Sequence, residues 1–526
     1  MLTYFVIVPI FMAVIAVLIR SPKAAGVIGL AAQVALLAAA LVLIIFTHDQ
    51  PVITVIGGYE GYLGIILLAD TTTAAFILLT AFIFLAATIY AFIEKLSNVY
   101  WFFLLIWEAM LIGIFLSNDM FNIFVLLEVS TVIVTSLIMY NRHFRSMYDG
   151  LFFLMVNIVG VLFYLFGLGY IYRLIGVFDM TAGAAMIQEL SREQLYLPYA
   201  LIMTFLALKC AIVPMFSWLP KVYGTPGAPP FVLAILSGIN IKASLFLFIR
   251  FQAMFGETLS AAPFFIAVGI ITALFGIVKA LSKRDMYLIL AYSSVAQMGL
   301  IVVALNLQGP YSHIGSLYHM INHAILKSAL FLSAGVIASA YGTRDIAEIR
   351  GIFKQMPIVA TATIVVILGM VGAPLFNGSI SKYLLTSGVS WPLFSTVAII
   401  NLGTVVMFFK YTSIFLGKSA IPRPRIDKWK QATLVGLGIL CVLGGVLGRQ
   451  AVYVLFGTEI TVDTAGYLIK VGIFAGSCVI GYFAWMYIKT HTPLLERIQR
   501  FDMGFRSTVA SIGVFFAMIL IAVSLL

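Results

Sequence analysis

The sequence predicts an all-α polytopic membrane protein, and three observations carry that prediction. Apolar runs of 18 or more residues recur along the whole chain of 526, long enough to span a bilayer core as helices. Apolar residues make up 63% and charged residues only 10%, with 42 Phe and 24 Tyr, whereas soluble domains carry about a quarter charged residues. The basic residues also fall unevenly between alternate loops. One large membrane domain is expected in place of three or four soluble ones, and an ordinary soluble enzyme is excluded.

In order along the chain, hydropathy gives sixteen spans, beginning near residues 2, 24, 71, 100, 119, 150, 197, 228, 260, 285, 312, 356, 391, 431, 466 and 506. The first does not read as a cleavable signal, because residues 1–19 have no basic n-region and no small-residue cleavage site before Arg20. Of the 31 Lys and Arg, four (Arg173, Arg192, Arg250 and Arg449) fall in one set of loops, seven fall within spans, and the remaining twenty fall in the other set. The positive-inside rule then places both termini outside, agrees with an even span count, and predicts a multi-pass protein of the cell membrane. The net charge of +11 is thus a topology signal, and nucleic-acid binding falls away. Cys210, Cys441 and Cys478 lie in apolar stretches without CxxC spacing, which removes a disulfide framework, a zinc ribbon and a cysteine-ligated cluster. The longest loops, 47–70, 176–196 and 489–505, are too short for a nucleotide or flavin domain, and no Walker A, GxGxxG or GxSxG motif is present. No cofactor and no metal are expected.

The seven basic residues inside spans are all lysines: Lys209, Lys242, Lys279, Lys327, Lys382, Lys410 and Lys470. A charge in the hydrocarbon layer costs at least ~3 kcal/mol on insertion scales, so seven are a heavy burden unless they pair, face water or lose protons. A desolvated lysine can release its proton where arginine cannot, so the choice of Lys favours titrating groups. Lys279 and Lys470, near span ends, read as snorkelling; Lys410 is left open; Lys209, Lys242, Lys327 and Lys382 read as functional. Two carboxylates lie well inside spans, Glu108 and Glu128, and each calls for a cationic partner, with a buried lysine the natural one. A structural ion pair is the alternative reading of each.

Two spans carry breaks. In LKCAIVPMFSWLP, Pro214 follows Lys209 by five residues, so the helix should break just past the lysine. In GMVGAPLFNGSISKYLL, Gly369, Gly372, Pro374 and Gly378 precede Lys382. Paired broken spans in two halves of a chain point to a transport site between inverted repeats. Between them, HMINHAILKSALFLSAG sets His319, His323 and Lys327 at i, i+4 spacing along one side of a helix, a row able to pass protons. HxxxH can also bind zinc, but it lacks the Glu of HExxH and the neighbouring lysine opposes a cation.

At these residues the sequence resembles the antiporter-like subunits of the complex I superfamily: the A and D subunits of Mrp-type sodium/proton antiporters, three large membrane subunits of respiratory complex I, and counterparts in membrane-bound hydrogenases. The matching segments are LLEVS, LKCAIVPMFSWLP, SGINIKASLF, KRDMYLILAYSSVAQMG, HMINHAILKSALFLSAG and GAPLFNGSISK, covering about residues 60–415. The resemblance implies a fourteen-helix core with two inverted five-helix repeats, here 100–251 and 260–417. N-terminal helices would occupy 1–99, and C-terminal helices 418–526, about two beyond the usual fourteen. It also implies roles: Glu128 as acidic partner, Lys209 as the lysine of the first broken helix, Lys242 as the central lysine, His319, His323 and Lys327 on the linking helix, and Lys382 as the terminal lysine. GGYEGYLGIILLADTTTAAF, from Gly57, is similar to the Mrp D and hydrogenase branch. The long lateral amphipathic helix of the largest complex I subunit is missing.

The expectation is a proton-translocating subunit of a multisubunit complex, with membrane partners, the lipid bilayer and H⁺ as its interactors, and Na⁺ coupling implied by the Mrp resemblance although no oxygen cage for sodium is readable. Catalysis, if any, would belong to partner subunits. The alternatives are the ion-pumping subunit of a redox-driven complex, a structural anchor with idle lysines, and a substrate carrier or redox enzyme.

Overall fold

A computed structural model describes residues 1–58, 64–94, 96–256, 258–419, 421–490 and 493–525. Lys95, part of the segment that starts at Gly57, and the side chain of Arg500 lie outside the described residues. The first six spans are α1 (Tyr4–Leu18), α2 (Pro22–Asp49), α3 (Thr71–Ala91), α4 (Asn98–Leu116), α5 (Met120–Met139) and α6 (Phe144–Ile175). After the short α7 (Met180–Ile187), α8 (Arg192–Lys209) and α9 (Trp218–Gly224) make a broken span. Next come α10 (Pro230–Ile235) and α11 (Ile241–Phe255), joined through a π-helical turn at Leu236–Asn240. They are followed by α12 (Ala262–Ser282), α13 (Met286–Leu305), α14 (Ser312–Tyr341) and the four-residue α15 (Ile352–Gln355). The second broken span is α16 (Pro357–Val371) with α17 (Asn377–Leu385). The chain closes with α18 (Trp391–Thr412), α19 (Lys428–Val446), α20 (Gly448–Phe456), α21 (Thr464–Thr490), α22 (Pro493–Arg500) and α23 (Phe505–Ser524).

Among the described residues thirteen helices, with α10–α11 counted as one, are long and apolar enough to cross a membrane, and α1 and α16 are shorter apolar helices. With the charge-bearing α8 they account for every predicted start. Aspartates seat several of these apolar helices: Asp70, Asp119, Asp179, Asp285 and Asp427 each accept a backbone N–H of the first turn, at 2.6–2.8 Å. The α10–α11 and α13 spans are 89% buried and form the centre, whereas α21 is 11% buried and forms the rim.

The three long loops carry structure that hydropathy does not report. Residues 52–56 and 65–69 form an antiparallel hairpin, β1 (Val52–Ile56) and β2 (Ile65–Ala69), because β-branched and aliphatic residues alternate faces there at a two-residue period. The other two hold α7 and α22.

One arrangement occurs twice. Asp119 bridges Asp179, and Asp285 bridges Asp345, both members lying 166 residues further on. The backbone bonds correspond: Met120 N to Phe178 O and Met180 N to Asn118 O, both 2.8 Å, against Met286 N to Arg344 O at 2.9 Å and Ile346 N to Arg284 O at 3.0 Å. A basic side chain caps each: Arg250 donates to Ser117 O at 2.5 Å, and Lys410 donates to Lys283 O. Lys410 is thereby a helix-end clasp, and it also donates to Leu281 O at 2.6 Å at the C-terminus of α12.

Candidate functional site

Both breaks form where the prolines and glycines lie. The first runs from Cys210 to Ser217, with Ala211 at φ +55°. Its freed backbone groups find new partners: Trp218 Nε1 donates to Leu208 O at 2.9 Å, and Val213 N to Thr272 Oγ1 at 3.1 Å. The second runs from Gly372 to Phe376, and there the freed Met370 O accepts Lys382 Nζ at 2.8 Å. Gly372, at φ +84°, lies beside that lysine, since a Cβ on it would stand 3.1 Å from Lys382 Cδ. Lys209 thus ends the helix before its break, while Lys382 sits in the helix after one.

The other amines are also held by backbone carbonyls. Lys242 donates to Ser237 O inside the π-helical turn, and Lys327 donates to Leu290 O at 2.8 Å and to Ser293 Oγ. Ser237 and Ser294 hydroxyls meet at 3.1 Å and join these two sites. Gly238 makes the approach possible, because a Cβ there would collide with Ser328 Oγ of α14. Lys242, Lys327 and His323 are fully buried.

His319 and His323 follow on the same side of α14, ring centroids 6.4 Å apart. His319 is engaged at both nitrogens, Nδ1 with Ser381 Oγ at 2.9 Å and Nε2 with Gln297 Oε1 at 3.2 Å. His323 has no partner at either nitrogen among the described residues. Gln297 continues to Thr404 Oγ1 at 3.3 Å, and Asn401, one turn away on α18, accepts Lys382 Nζ at 2.5 Å. Lys242, Lys327, the imidazoles and Lys382 thus lie among serine, glutamine, threonine and asparagine side chains, and no hydrogen bond among the described residues joins His323 to its neighbours.

At the other end the expected Glu128–Lys209 contact is open. Lys209 Nζ donates to Thr131 Oγ1 at 2.9 Å, and Glu128 is in none of the three ion pairs among the described residues. Glu128 is half-buried on α5, beside the exposed Val125 and Val129, with Oε1 lacking a partner among the described residues. A cavity of about 20 Å³ is lined by Lys209 and Thr131 together with Asn240 and Ser244, which flank Lys242 in the sequence. That is room for about one water molecule with several polar partners.

Three other expectations are corrected. Glu108, 0% exposed, takes its hydrogen bond from Gln33 of α2 and not from a lysine. Lys279 does not snorkel: it is 1% exposed and donates to Ile498 O at 3.0 Å and Phe501 O at 2.5 Å, closing the C-terminal end of α22. Lys470 donates inward to Tyr383 O at 2.9 Å and to Thr386 Oγ1, at the C-terminus of the broken helix α17. Carbonyls at a helix C-terminus attract cations, which is why these amines turn inward.

The fold and this site define a polytopic membrane protein built round a buried polar axis between two broken helices. The chain belongs to the NADH:quinone oxidoreductase/Mrp antiporter transmembrane family, whose sequence profile matches residues 117–407. The N-type subunit of NADH-quinone oxidoreductase from Desulforudis audaxviator is 32% identical over 429 residues, 77% of this chain and 84% of that protein. The D-type subunit of the Na⁺/H⁺ antiporter from Alkalihalophilus pseudofirmus is 28% identical over 342 residues, 63% of this chain and 68% of that one. In structure, a chain of the Mrp complex from Dietzia sp. superposes with a TM-score of 0.80 at 22% identity, over 90% of this chain and 99% of that chain. A chain of the archaeal membrane-bound sulfane sulfur reductase gives 0.80 at 23% identity, over 91% and 99% respectively.

Proposed function

We propose that this chain is a proton-translocating subunit of a multisubunit membrane complex, in which protons pass along Glu128/Lys209, Lys242, Lys327, His323, His319 and Lys382. The observation that carries the reading is the run of buried amines and imidazoles from Lys242 to Lys382 on this path, each except His323 hydrogen-bonded to polar groups of Ser237, Ser293, Gln297, Ser381 or Asn401. Hydrocarbon would have cost less at these positions if they only packed helices. Lys209 has two alternative acceptors a turn apart on α5, Thr131 and Glu128. Movement between them alternates the amine between a neutral and an anionic partner, and so alternates its hold on a proton. His323, with both nitrogens free of partners among the described residues, is the position where water best completes the path. The repeated Asp119/Asp179 and Asp285/Asp345 bridges support two inverted repeats, because α5 and α13 are the fifth and tenth crossings and enter from opposite faces.

The subunit is read as lying in the cell membrane with both termini outside, and with H⁺ as its cargo. Na⁺ coupling rests on the name of the antiporter relative alone. The likeness to an NADH-quinone oxidoreductase subunit favours a second setting, a redox-driven complex whose partners hold the cofactors. Flavin, iron and nickel assays on the purified complex separate the two settings. The test of the path itself is proton movement in vesicles containing the complex with Lys382→Ala or Glu128→Gln. Both variants should lose most transport, and undiminished transport in both defeats the proposal.

A further inference from the structure

The span α21 and the short α22 that follows it close a cavity against the core helices. It has a volume of about 330 Å³ and lies where α12 ends, between α18, α21 and α22. Four basic residues line it: Arg284, Arg350, Lys410 and Lys489. No carboxylate lines it among the described residues. Arg284 and Lys489 are exposed and take part in none of the ion pairs among the described residues, while the Asp345 carboxylate, next to the lining residue Ile346, acts on Lys410. Lys410 and Arg350 lie deeper, held by Leu281 O and by Ile349 O at 2.8 Å, and add to the positive field. The α21 part of the wall is apolar at Trp485 and Ile488, and Leu281 of α12 adds a further apolar side chain. That wall runs on into the outer face of α21, where Phe483, Met486 and Tyr487 are exposed. A bilayer covers such a face. The backbone of α22 is pinned above α12, with Lys283 Nζ donating to Gln499 O at 2.9 Å alongside the Lys279 bonds, so the cavity has a built roof.

We propose that this cavity is a binding site for an anionic phospholipid. The headgroup phosphate lies among Arg284, Arg350 and Lys489, and an acyl chain descends past Trp485 and Ile488 along α21. Charge and position select this ligand. A basic pocket at the interface between membrane helices is matched by a phosphate diester carrying hydrocarbon, and a zwitterionic lipid brings a cation that the lining repels. The site is separate from the proton path, and its test does not depend on transport.

The experiment uses the purified complex containing the full chain. Binding of short-chain phosphatidylglycerol, phosphatidylcholine and free glycerol phosphate is measured by native mass spectrometry and by thermal shift. Phosphatidylglycerol should bind and protect, the other two should bind at least tenfold more weakly, and raising the salt should weaken the phosphatidylglycerol complex. The double variant Arg284→Gln/Lys489→Gln should bind it about 30-fold more weakly, at about fivefold for each basic group removed. The swap Arg284→Lys/Lys489→Arg should keep the affinity. Equal binding of the zwitterionic lipid, salt-independent binding, or full retention by the double variant overturns the proposal. So does a polypeptide captured at a photoreactive residue in place of Trp485, since that shows a partner protein filling the cavity. The salt and headgroup comparisons need no variant, so they decide the matter even where a substitution fails to fold.

Discussion

Removing the hydroxyl that holds Lys209 should trap that amine on Glu128. Thr131 Oγ1 donates its proton to Leu127 O at 2.8 Å, which turns a lone pair to accept from Lys209 at 2.9 Å. Thr131→Val keeps the shape and deletes the acceptor. A hydrogen bond to a charged group is worth about 1.5–3 kcal/mol, so the distribution of Lys209 between Thr131 and Glu128 should move towards Glu128 by about 10- to 150-fold. If a proton leaves Lys209 only after that partner is exchanged, turnover should fall by at least about tenfold. The assay is dye-monitored acidification of vesicles containing the complex, with Thr131→Ser as a control that retains the hydroxyl and should transport normally. A double-mutant cycle with Glu128→Gln completes the argument, because removing the competing carboxylate should make Thr131→Val less harmful. Unchanged turnover in Thr131→Val, or strictly additive losses in the cycle, refutes competition between the two acceptors.

Three further outcomes follow from the same geometry. Gly372→Ala forces a side chain to φ +84° and sets its Cβ 3.1 Å from Lys382 Cδ, so about 1–3 kcal/mol of strain should accompany a loss of transport, read by thermal melting and vesicle assay. Lys470→Met removes a cation from the last turn of α17, which should cost about 0.3–2 kcal/mol and slow transport through Lys382, whereas Lys470→Arg should restore both. Burial holds Lys283 below the ordinary lysine range, with Asp502 raising it and Lys221 lowering it further. A lysine depressed in the folded state binds fewer protons there than when released, so docking of α22 is weakest at low pH. Docking should strengthen as pH rises through the folded value towards the ordinary one. Proteolysis within 489–505 should therefore slow as pH rises through that window, and Lys283→Met should weaken the dependence, Lys279 still holding the end of α22.

The breaks were legible because proline and glycine act locally: Pro214 and the Gly369–Gly378 cluster interrupt helices wherever they stand. The row of His319, His323 and Lys327 was legible for a similar reason, since helical period alone places them on one side. Partnership was not legible. Nothing in the chain near Glu108 names Gln33, seventy-five residues away, and nothing near Lys209 ranks Thr131 above Glu128. Ser237, Gln297, Asn401 and Thr404 do not stand out in the sequence, because a single uncharged polar residue costs little in a span and so leaves little trace in hydropathy. The twin segments SNDM and KRDM, with FDM and RDI sixty residues after each, are the sequence signal that matches the repeated bridges.

By itself the sequence determined that this chain is a multi-pass helical membrane protein, that two of its predicted spans are interrupted, and that lysines stand where hydrocarbon should be. These follow from composition, period and local backbone chemistry. Only the tertiary structure decided which lysines face one another's neighbours along an inner path and which merely close the ends of distant helices. The physical reason is that an ammonium buried in a bilayer takes whatever oxygen its neighbours present. Those oxygens come from helices far away in the chain, as with Lys279 at Phe501, Lys410 at Leu281 and Lys470 at Tyr383.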